Sequence, residues 1–325
     1  MSVVRAVAIG CGHYLPARII TNDELAERID TSDEWIRTRT GIRQRHIAAE
    51  GEKTSDLAIA AARKALAAAG VAGPDLDSII LATATPDQTF PSTATRVQHA
   101  IGMRRGFAFD IHAVCAGFIY GLSNANSMIA SGMARRVMVI GAETFSRIID
   151  WEDRTTCVLF GDGAGAVILE AGEGRGTAED RGVLGTCLHS DGAHNEILYV
   201  SGGPSTTKDS GFLRMEGREV FRHAVVKLAE VAEEVMDKVG VTGADVDWIV
   251  PHQANLRIIE STAKKAGVSM DKVVVTVHDH GNTSAASIPL ALSTAVGDGR
   301  IRPGHLLLME AIGGGLAWGS ALLRW

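Results

Sequence analysis

The feature that most constrains the fold is an internal repeat. Residues 70–80 read GVAGPDLDSII and residues 240–250 read GVTGADVDWIV, so that six of eleven positions are identical. Each copy follows a long helical pattern that ends at a glycine, Gly70 or Gly240. Each copy then runs into a short apolar segment typical of a buried strand. A repeated helix–strand unit predicts a duplicated fold whose two copies share one architecture.

The repeat extends beyond these eleven positions. Residues 107–132 and 273–299 each indicate a strand, a turn and a helix, and a further strand follows each of them. Alternating strands and helices build parallel sheets covered by helices, so we expect an α/β protein with helices packed between two sheets. The expected pseudo-symmetric halves are residues 1–170 and 171–325. Residues 183–218 are expected to form an insertion of short strands and loops.

Composition narrows the class of protein. The chain has 325 residues, of which 46% are hydrophobic and 22% charged, as in an ordinary globular protein rather than a disordered or fibrous one. A net charge of -6 argues against nucleic-acid binding. Because no apolar run reaches ~18 residues, we expect no membrane span. We expect no secretory signal peptide either, because the first residues lack a long apolar region and a small-residue cleavage site. Four cysteines without a CxxC pair indicate a reducing, cytoplasmic environment.

A cysteine follows one of the predicted strands. Ligands of parallel sheets bind at the carboxyl ends of strands, and Cys115 comes after the predicted strand 107–112, where a helix begins. The free N–H groups and the positive dipole at a helix N-terminus favour a thiolate, so Cys115 is a candidate nucleophile. The alternative is a buried structural cysteine. The remaining cysteines are interpreted as packing residues: Cys11, Cys157 and Cys187.

Polar groups follow the predicted strands of the second copy. His252 lies after the predicted strand 248–250, and Asn282 lies in the turn that corresponds to the Cys115 turn. Each has a simpler interpretation, as a hydrogen-bonded structural histidine or as a turn residue. Three glycines at 313–315 can bring a main-chain N–H close to a ligand, or can form a tight β-turn. Together these loops suggest a nucleophilic cysteine with one of two arrangements: His252 as its base, or His252 and Asn282 as two donors that hold a thioester carbonyl as it becomes an enolate.

Two further patterns are rejected as sites. His278 and His280 could suggest a metal site, but no carboxylate or cysteine follows at ligand spacing. Residues 161–165, GDGAG, resemble a dinucleotide-binding turn, but they run into a predicted strand rather than a helix. We therefore expect neither a metal nor a dinucleotide cofactor.

At these residues the sequence resembles the β-ketoacyl-[acyl-carrier-protein] synthase III family of thiolase-fold condensing enzymes. The resemblance covers essentially the whole chain. It implies the thiolase fold, a duplicated αβαβα five-layer architecture with pseudo-twofold halves. Its most specific segments are TSDEWIRTRTGI (31–42), CAGF (115–118), FGDGAGA (160–166), VPHQANLRII (250–259), HGNTSAAS (280–287) and GGGLAWGSAL (313–322).

The resemblance also implies an activity. Members of the family initiate type II fatty acid synthesis by a ping-pong condensation of acyl-CoA with malonyl-acyl carrier protein (malonyl-ACP), which gives 3-oxoacyl-ACP, CO2 and CoA without a cofactor. Cys115 would accept the acyl group, and the main-chain N–H groups of Cys115 and Gly314 would form the oxyanion hole. His252 and Asn282 would bind the malonyl thioester oxygen and stabilise the enolate formed when CO2 leaves.

Substrate-binding residues are likewise implied by the resemblance. For CoA they are Trp35, Arg39 and Arg154, with Thr31 and Asn255 as weaker candidates. For the carrier protein they are Gln253, Ala254, Asn255, Leu256 and Arg257, with Arg222, Lys264 and Lys265 extending a basic patch. Without the resemblance, the lysines would be ordinary solvated helix residues. The basic cluster near residue 40 would then be a solvated face: Arg37, Arg39, Arg43 and Arg45.

The acyl pocket is implied by two apolar residues. Phe90 matches a residue that crosses the interface of a homodimer and closes the acyl pocket of the other subunit, which favours short primers such as acetyl. Ile312 stands where many relatives carry phenylalanine, and Arg218 where they often carry a neutral polar residue, so the primer preference could deviate from acetyl.

Three other functions remain open at this point. The chain could be another thiolase-fold synthase, with a different acyl-CoA primer, with CoA thioesters as both substrates, or for polyketides. It could be a cysteine–histidine hydrolase in which the imidazole is a base. A binding scaffold without catalysis is disfavoured because Cys115, His252 and Asn282 are all present.

Overall fold

The computed structural model describes residues 2–325. Within this range no helix is long and apolar enough to cross a lipid bilayer. The strands are β1 (Val3–Tyr14), β2 (Arg18–Thr21), β3 (Gln44–Ile47), β4 (Ser78–Ala82), β5 (Phe107–Ile111), β6 (Arg136–Thr144), β7 (Asp162–Gly174), β8 (Gly182–Ser190), β9 (Leu198–Val200), β10 (Leu213–Met215), β11 (Trp248–Pro251), β12 (Leu306–Gly313) and β13 (Ala317–Arg324). The α-helices are α1 (Asn22–Ala26), α2 (Asp33–Thr40), α3 (Thr54–Ala69), α4 (Thr93–Ala100), α5 (Gly117–Ala130), α6 (Gly217–Val239), α7 (Leu256–Lys265), α8 (Val277–His280) and α9 (Ser287–Gly297).

Two mixed β-sheets form the framework, and four strands of the first correspond in order to the four strands of the second: β4, β6, β7 and β1 to β11, β12, β13 and β8. The first sheet has the order β5-β4-β6-β7-β1, and the second has the order β11-β12-β13-β8. The strand that carries the sequence repeat is parallel to its neighbour in both sheets, β4 to β6 and β11 to β12. The next two pairings of each sheet are antiparallel. Strands β2 and β3 form one small separate sheet, and β9 and β10 form another.

The register of the strands shows the duplication residue by residue. Ser78 is opposite Val137 where β4 pairs with β6, and Trp248 is opposite Leu307 where β11 pairs with β12. Both members of the second pair lie 170 positions after those of the first. The repeat in the sequence is therefore also a repeat of three-dimensional structure. The division of the chain at residue 170 stays a prediction.

Alternate residues of the strands face different layers of the molecule. Val137 of β6 and Leu307 of β12 both pack with the central helices α5 and α9. Ile79 of β4 faces α3 and α4 on one outer side, and Leu308 of β12 faces α6 and α7 on the other. The result is the five-layer αβαβα arrangement of the thiolase fold, with two helices buried between two sheets.

The prediction of a strand at residues 273–277 is wrong. Residues 273–277 make only a single isolated bridge to the edge of β11, at Val273. The N–H groups of Thr276 and Val277 instead donate to the side-chain oxygen of Gln253, at 2.8 and 3.0 Å. Because a side chain accepts these donors, the segment turns into α8 and the second sheet stops at four strands.

The insertion expected at 183–218 is only partly correct. Most of its first third belongs to β8, a full member of the second sheet paired with β13. The alternation of buried and half-buried residues along β8 is what a strand covered mainly on one face requires. Only the region of β9 and β10 forms a separate small structure.

The expected position of Arg45 on a solvated basic face is also wrong. Arg45 is fully buried, and its guanidinium donates to the carbonyl oxygens of Ile20 and Val158, at 3.1 and 2.8 Å. Burial lowers the pKa of Arg45 to about 10. This side chain therefore ties the small β2–β3 sheet to the segment that precedes β7.

A carboxyl group is buried in the second sheet. Glu310 of β12 is 2% exposed, and its Oε2 makes no hydrogen bond to any residue in the range 2–325. Burial raises the pKa of Glu310 to about 8. The folded protein therefore holds this carboxyl protonated at neutral pH, because an unpaired buried charge is more costly than a neutral acid.

We expect Glu310→Gln to reduce the pH dependence of stability. The folded-state pKa of about 8 lies above the ordinary value of 4.5, so the folded chain binds the proton more tightly than the unfolded chain. The free energy of unfolding of the wild type should therefore fall as pH rises from about 4.5 to 8. The variant should lose less over that window, by up to about 5 kcal/mol in urea titrations. Parallel pH profiles for the two proteins would contradict the assignment.

Candidate active site

One large cavity brings together the three residues expected to react. Its volume is ≈ 2050 Å³, and Cys115, His252 and Asn282 all lie on its wall. Cys115 follows β5, His252 follows β11, and Asn282 follows the short helix α8. The side chains therefore come from both copies of the duplication. Their convergence is the arrangement that the strand-end loops predicted.

Cys115 lies in a sharp turn before a central helix. Residues 114–116 form a 3-10 turn that leads into α5 at Gly117. Val114 has a φ of 46°, a left-handed conformation that is strained for a β-branched residue. A Cβ at Gly117 would lie 2.9 Å from that of Ala82, so only glycine lets the turn approach β4 this closely. The turn therefore holds the thiol at the N-terminal end of α5.

The helix N-terminus is expected to favour ionisation of the Cys115 thiol, but the thiol lies in a buried environment that disfavours it. The residue is 5% exposed, and burial raises the pKa of its thiol to about 12. A contact with Ser284 lowers this pKa, whereas the charge of Glu143 raises it further. In the free protein the thiol is therefore neutral, because burial outweighs the helix N-terminus.

Glu143 is a buried residue of the site that sequence reasoning missed. It lies in β6, is fully buried, and accepts hydrogen bonds from Thr83 Oγ1, Thr85 Oγ1 and the N–H of Ala84. Burial raises the pKa of Glu143 to about 7, although these donors oppose the shift. The Glu143 carboxylate thus holds residues 83–85 in place, and Thr83, Ala84 and Thr85 line the cavity. An acidic residue inside an otherwise apolar strand could have indicated it.

His252 is buried and neutral. It is 4% exposed, and burial lowers the pKa of its imidazole to about 3. Its main-chain N–H donates to the carbonyl of Glu310, which continues the pairing of β11 with β12. Its Nδ1 lies 2.6 Å from Ser287 Oγ, so Nε2 is the nitrogen left for a ligand. A neutral imidazole can donate or accept one hydrogen bond there.

Asn282 is held by main-chain hydrogen bonds. Its N–H donates to Leu159 and its carbonyl accepts from Gly161, at 2.9 and 3.0 Å. Its side-chain Oδ1 accepts from the N–H of Ser284 at 2.9 Å. Because the oxygen end of the carboxamide is occupied, the NH2 end is the one that can donate to a ligand in the cavity. Ser284 has a φ of 49°, which repeats the strained turn at Val114 in the second copy.

The glycine-rich loop packs against the nucleophile turn. A Cβ at Gly313 would lie 2.6 Å from the main-chain nitrogen of Cys115, and one at Gly314 would lie 2.6 Å from the carbonyl oxygen of Leu198. Both positions therefore require the absence of a side chain. Gly314 and Gly315 line the cavity and form the tight turn between β12 and β13. The approach of a main-chain N–H to a ligand stays a prediction.

The prediction that Gln253 contacts the carrier protein is wrong. It is 1% exposed, and its amide NH2 donates to the carbonyls of Pro251 and Val274, at 2.9 and 3.0 Å. Its oxygen accepts the two N–H groups already described before α8. The side chain is thus fully engaged inside the protein and cannot contact a partner.

The rest of the QANLR segment has mixed positions. Asn255 caps α7 by accepting from the N–H of Ile258 at 3.0 Å, a structural role that the resemblance did not indicate. Ala254, Asn255 and Arg257 line the cavity, and Arg257 is exposed. Leu256 is half-buried.

Four further basic residues lie on α6 and α7. Arg218 also lies on the cavity wall. Arg222 is exposed but ion-paired with Glu219. Lys264 and Lys265 are exposed at the end of α7.

The residues expected to bind CoA are only partly assembled. Trp35 and Arg39 line the cavity. The guanidinium groups of Arg39 and Arg154 lie 4.4 and 5.2 Å from the centre of the Trp35 ring. Arg154 also donates to Asp30, at 3.0 Å from its carboxylate. Within the described range, Thr31 is not part of the cavity wall.

The two apolar residues expected in the acyl pocket both line the cavity, but they differ in exposure. Phe90 is 82% exposed, whereas Ile312 is 7% exposed.

His278 and His280 lie in the helix α8 rather than on a strand, and His278 Nδ1 is 2.6 Å from the carbonyl oxygen of Gly41. Residues 2–325 contain no group of three or more histidine, cysteine or acidic side chains able to hold a metal ion.

Comparisons with known proteins agree with this geometry. The family profile described as 3-Oxoacyl-[acyl-carrier-protein (ACP)] synthase III matches residues 109–192, and the profile of its C terminal matches residues 236–325. The Beta-ketoacyl-[acyl-carrier-protein] synthase III of Jannaschia sp. (strain CCS1) is 64% identical, over 99% of this chain and 100% of that protein. The protein of the same name from Paramagnetospirillum magneticum (strain ATCC 700264 / AMB-1) is 65% identical, over 99% of both.

A solved structure extends the agreement to three dimensions. The crystal structure of 3-oxoacyl-[acyl-carrier-protein] synthase III from Aquifex aeolicus VF5 has a TM-score of 0.92 and 48% identity, and the match covers 98% of this chain and 100% of that one. The resemblance inferred from the six sequence segments is thereby confirmed, together with the thiolase fold. The chain belongs to the 3-oxoacyl-[acyl-carrier-protein] synthase III family.

Proposed function

We propose that the protein condenses a short acyl-CoA, such as acetyl-CoA, with malonyl-ACP, which is the initiating step of type II fatty acid synthesis. The observation that carries the proposal is the meeting of Cys115, His252 and Asn282 on one cavity wall. A thiol and two neutral hydrogen-bond donors suit acyl transfer followed by enolate stabilisation. The reaction requires no resident cofactor, because both substrates are already activated thioesters.

In the first half-reaction Cys115 takes the acyl group. Its Sγ forms a bond to the acyl carbon, the bond from that carbon to the CoA sulfur breaks, and the thiol proton leaves with CoA. The main-chain N–H groups of Cys115 and Gly314 hold the carbonyl oxygen as it becomes negative. The close approach of Gly313 to the Cys115 nitrogen supports this assignment, because it brings the glycine loop against the nucleophile turn.

In the second half-reaction malonyl-ACP loses CO2. The bond between the carboxylate and the α-carbon breaks, and its electron pair forms an enolate whose oxygen accepts hydrogen bonds from His252 Nε2 and Asn282 Nδ2. The enolate carbon then attacks the acyl-Cys115 carbonyl, and the Cys115 thiolate leaves as 3-oxoacyl-ACP forms. The thiolate takes up a proton from solvent, which replaces the proton that left with CoA. The neutral imidazole supports a role as a donor, since burial disfavours an imidazolium. One oxyanion donor contributes about 3 kcal/mol.

Substrate entry is proposed at the mouth of the cavity. Trp35, flanked by Arg39 and Arg154, suits an adenine ring and phosphates, because guanidinium groups bind phosphate and an indole can stack on a base. The exposed Arg257 and Arg218 at the cavity suit an acidic carrier protein.

A homodimer and a cytoplasmic location are part of the proposal. Phe90 leaves most of its ring exposed at the cavity, which supports contact with a second subunit. The edge strand β5 also has no partner on its outer side within the described chain.

The free, buried cysteines and the CoA thioester substrate suit a location in the cytoplasm.

The alternative functions are not favoured. Relatives 64–65% identical along nearly the whole chain carry the name of the fatty acid enzyme rather than that of a polyketide synthase. A hydrolase would need His252 as a base for Cys115. The low pKa of His252 makes it a poor proton acceptor.

The two half-reactions should separate in variants. Cys115→Ser should abolish labelling of the protein by radioactive acetyl-CoA, because the acyl acceptor is lost. His252→Ala should retain labelling while condensation with malonyl-ACP falls by about 100-fold or more, since an enolate donor is lost. Equal loss of both half-reactions in His252→Ala would instead mean that His252 is a base for Cys115.

A side chain at residue 313 should impair acyl transfer. Gly313→Ala would place a methyl group 2.6 Å from the Cys115 nitrogen, so the turn must shift and the oxyanion hole must open. We expect at least about a tenfold slower acylation by acetyl-CoA in rapid-quench experiments. Gly297→Ala is the matched control, because nothing lies within 4 Å of that position. Equal acylation rates in the two variants would contradict the oxyanion-hole geometry.

Charge reversal at the cavity mouth should weaken docking of the carrier protein. Arg257→Glu should raise KM for malonyl-ACP about tenfold while the rate of acylation by acetyl-CoA changes little, because the lost attraction is to the protein partner. Added salt should raise KM for the wild type more than for the variant. Arg175→Glu makes the same change in net charge at an exposed residue outside the cavity wall and should leave KM unchanged. A similar KM increase in both variants would refute the docking site.

A further inference from the structure

We propose that Ser287 is a positioning residue that directs Nε2–H of His252 towards the substrate. Ser287 does not touch substrate; it acts by fixing the ring orientation and the protonated nitrogen of His252. The inference rests on the proposed function, in which His252 donates a hydrogen bond to the malonyl thioester oxygen.

The contact between the two residues is short and buried. His252 Nδ1 lies 2.6 Å from Ser287 Oγ. Ser287 is 1% exposed and His252 is 4% exposed, so water does not compete for either atom. Ser287 is the first residue of α9, one of the two helices buried between the sheets. The hydroxyl is therefore attached to one of the most constrained elements of the fold.

A second hydrogen bond favours the hydroxyl as the donor to Nδ1. The main-chain N–H of Gln253 donates to Ser287 Oγ at 3.3 Å. A main-chain N–H can only donate, so at that contact the hydroxyl oxygen accepts. If the oxygen also accepted from Nδ1, the buried hydroxyl proton would have no acceptor, because these two contacts are the only hydrogen bonds of Ser287 Oγ within residues 2–325. The hydroxyl therefore donates to Nδ1 of His252. A neutral imidazole has one proton, so that proton must lie on Nε2, the nitrogen left for the cavity.

The duplication provides an independent comparison. The positions 170 residues before His252 and Ser287 are Ala82 and Gly117. These two are also in contact, since a Cβ at Gly117 would lie 2.9 Å from the Cβ of Ala82. The first copy thus has two small apolar residues where the second has an imidazole and a hydroxyl. The polar pair occurs as a unit in the copy that supplies the enolate donors.

Loss of the hydroxyl should act on one half-reaction. In Ser287→Ala, Nδ1 has no donor, so the ring can place its proton on either nitrogen and can rotate. We expect kcat for condensation with malonyl-ACP to fall about tenfold or more, but less than in His252→Ala. KM for malonyl-ACP and the rate of acylation by acetyl-CoA should stay within about twofold of the wild type, because neither requires this hydrogen bond.

The same helix contains a matched control. Ser293 is also buried on α9, and its Oγ lies 2.8 Å from Nδ1 of another histidine, His13. Neither residue is on the cavity wall within the described range. Ser293→Ala removes an equivalent serine–histidine hydrogen bond from α9 and should leave kcat for condensation unchanged. If it lowers kcat as much as Ser287→Ala does, the effect is a general loss of helix stability and the proposal is overturned.

A spectroscopic measurement tests the protonation state directly. In protein labelled with 15N-histidine, the His252 signals, identified by their loss in His252→Ala, should show an unprotonated Nδ1 and a protonated Nε2 in the wild type. In Ser287→Ala they should shift towards a mixture of both forms. A protonated Nδ1 in the wild type would overturn the proposal. This measurement on the wild type also decides the matter if Ser287→Ala does not fold.

The outcomes separate this inference from the proposed function. If His252→Ala condenses at the wild-type rate, the role of His252 itself is wrong. If His252→Ala loses condensation but Ser287→Ala keeps the wild-type kcat, only the role of Ser287 is wrong.

Discussion

The burial of two helices between two sheets is the constraint on which the site depends. Side chains of α5 and α9 such as Phe118 and Ile288 are 1% exposed and pack against strands of both sheets. A helix enclosed on both sides cannot shift without opening the core, because interiors are close-packed. The turns that precede these helices are therefore held at the cavity with little freedom. Cys115 precedes α5, and Ser287 opens α9 beside His252.

The same burial makes the site electrically neutral. It raises the pKa of Cys115 to about 12 and lowers that of His252 to about 3, so neither carries a charge in the free protein. In the proposed reaction charge develops only when a thioester oxygen becomes negative, and the fixed donors would then act in a medium of low dielectric constant. Buried neutral donors of this kind would stabilise the reacting state more than the resting one.

Much of this organisation could be predicted from the sequence. The repeat and the alternation of strands and helices indicate the duplicated α/β fold, because the spacing of apolar residues is a local property of the chain. Cys115, His252 and Asn282 could be proposed as candidates because each lies in a segment that follows an apolar run. The same reasoning failed at 273–277, where an apolar run has strand composition but its N–H groups bond to the side chain of Gln253.

What the sequence alone determined is therefore the order of the elements and the loops in which reactive groups stand. Tertiary structure decided which polar groups face the cavity, whether each of them is protonated, and on which atom. Arg45 and Gln253 look like surface residues in the sequence, yet both are buried by segments distant in the chain. Glu143 and Ser287 acquire their roles from neighbours tens of residues away. Burial, proton affinity and the direction of a hydrogen bond depend on atoms within a few ångströms, and the linear spacing of residues does not specify which atoms those are.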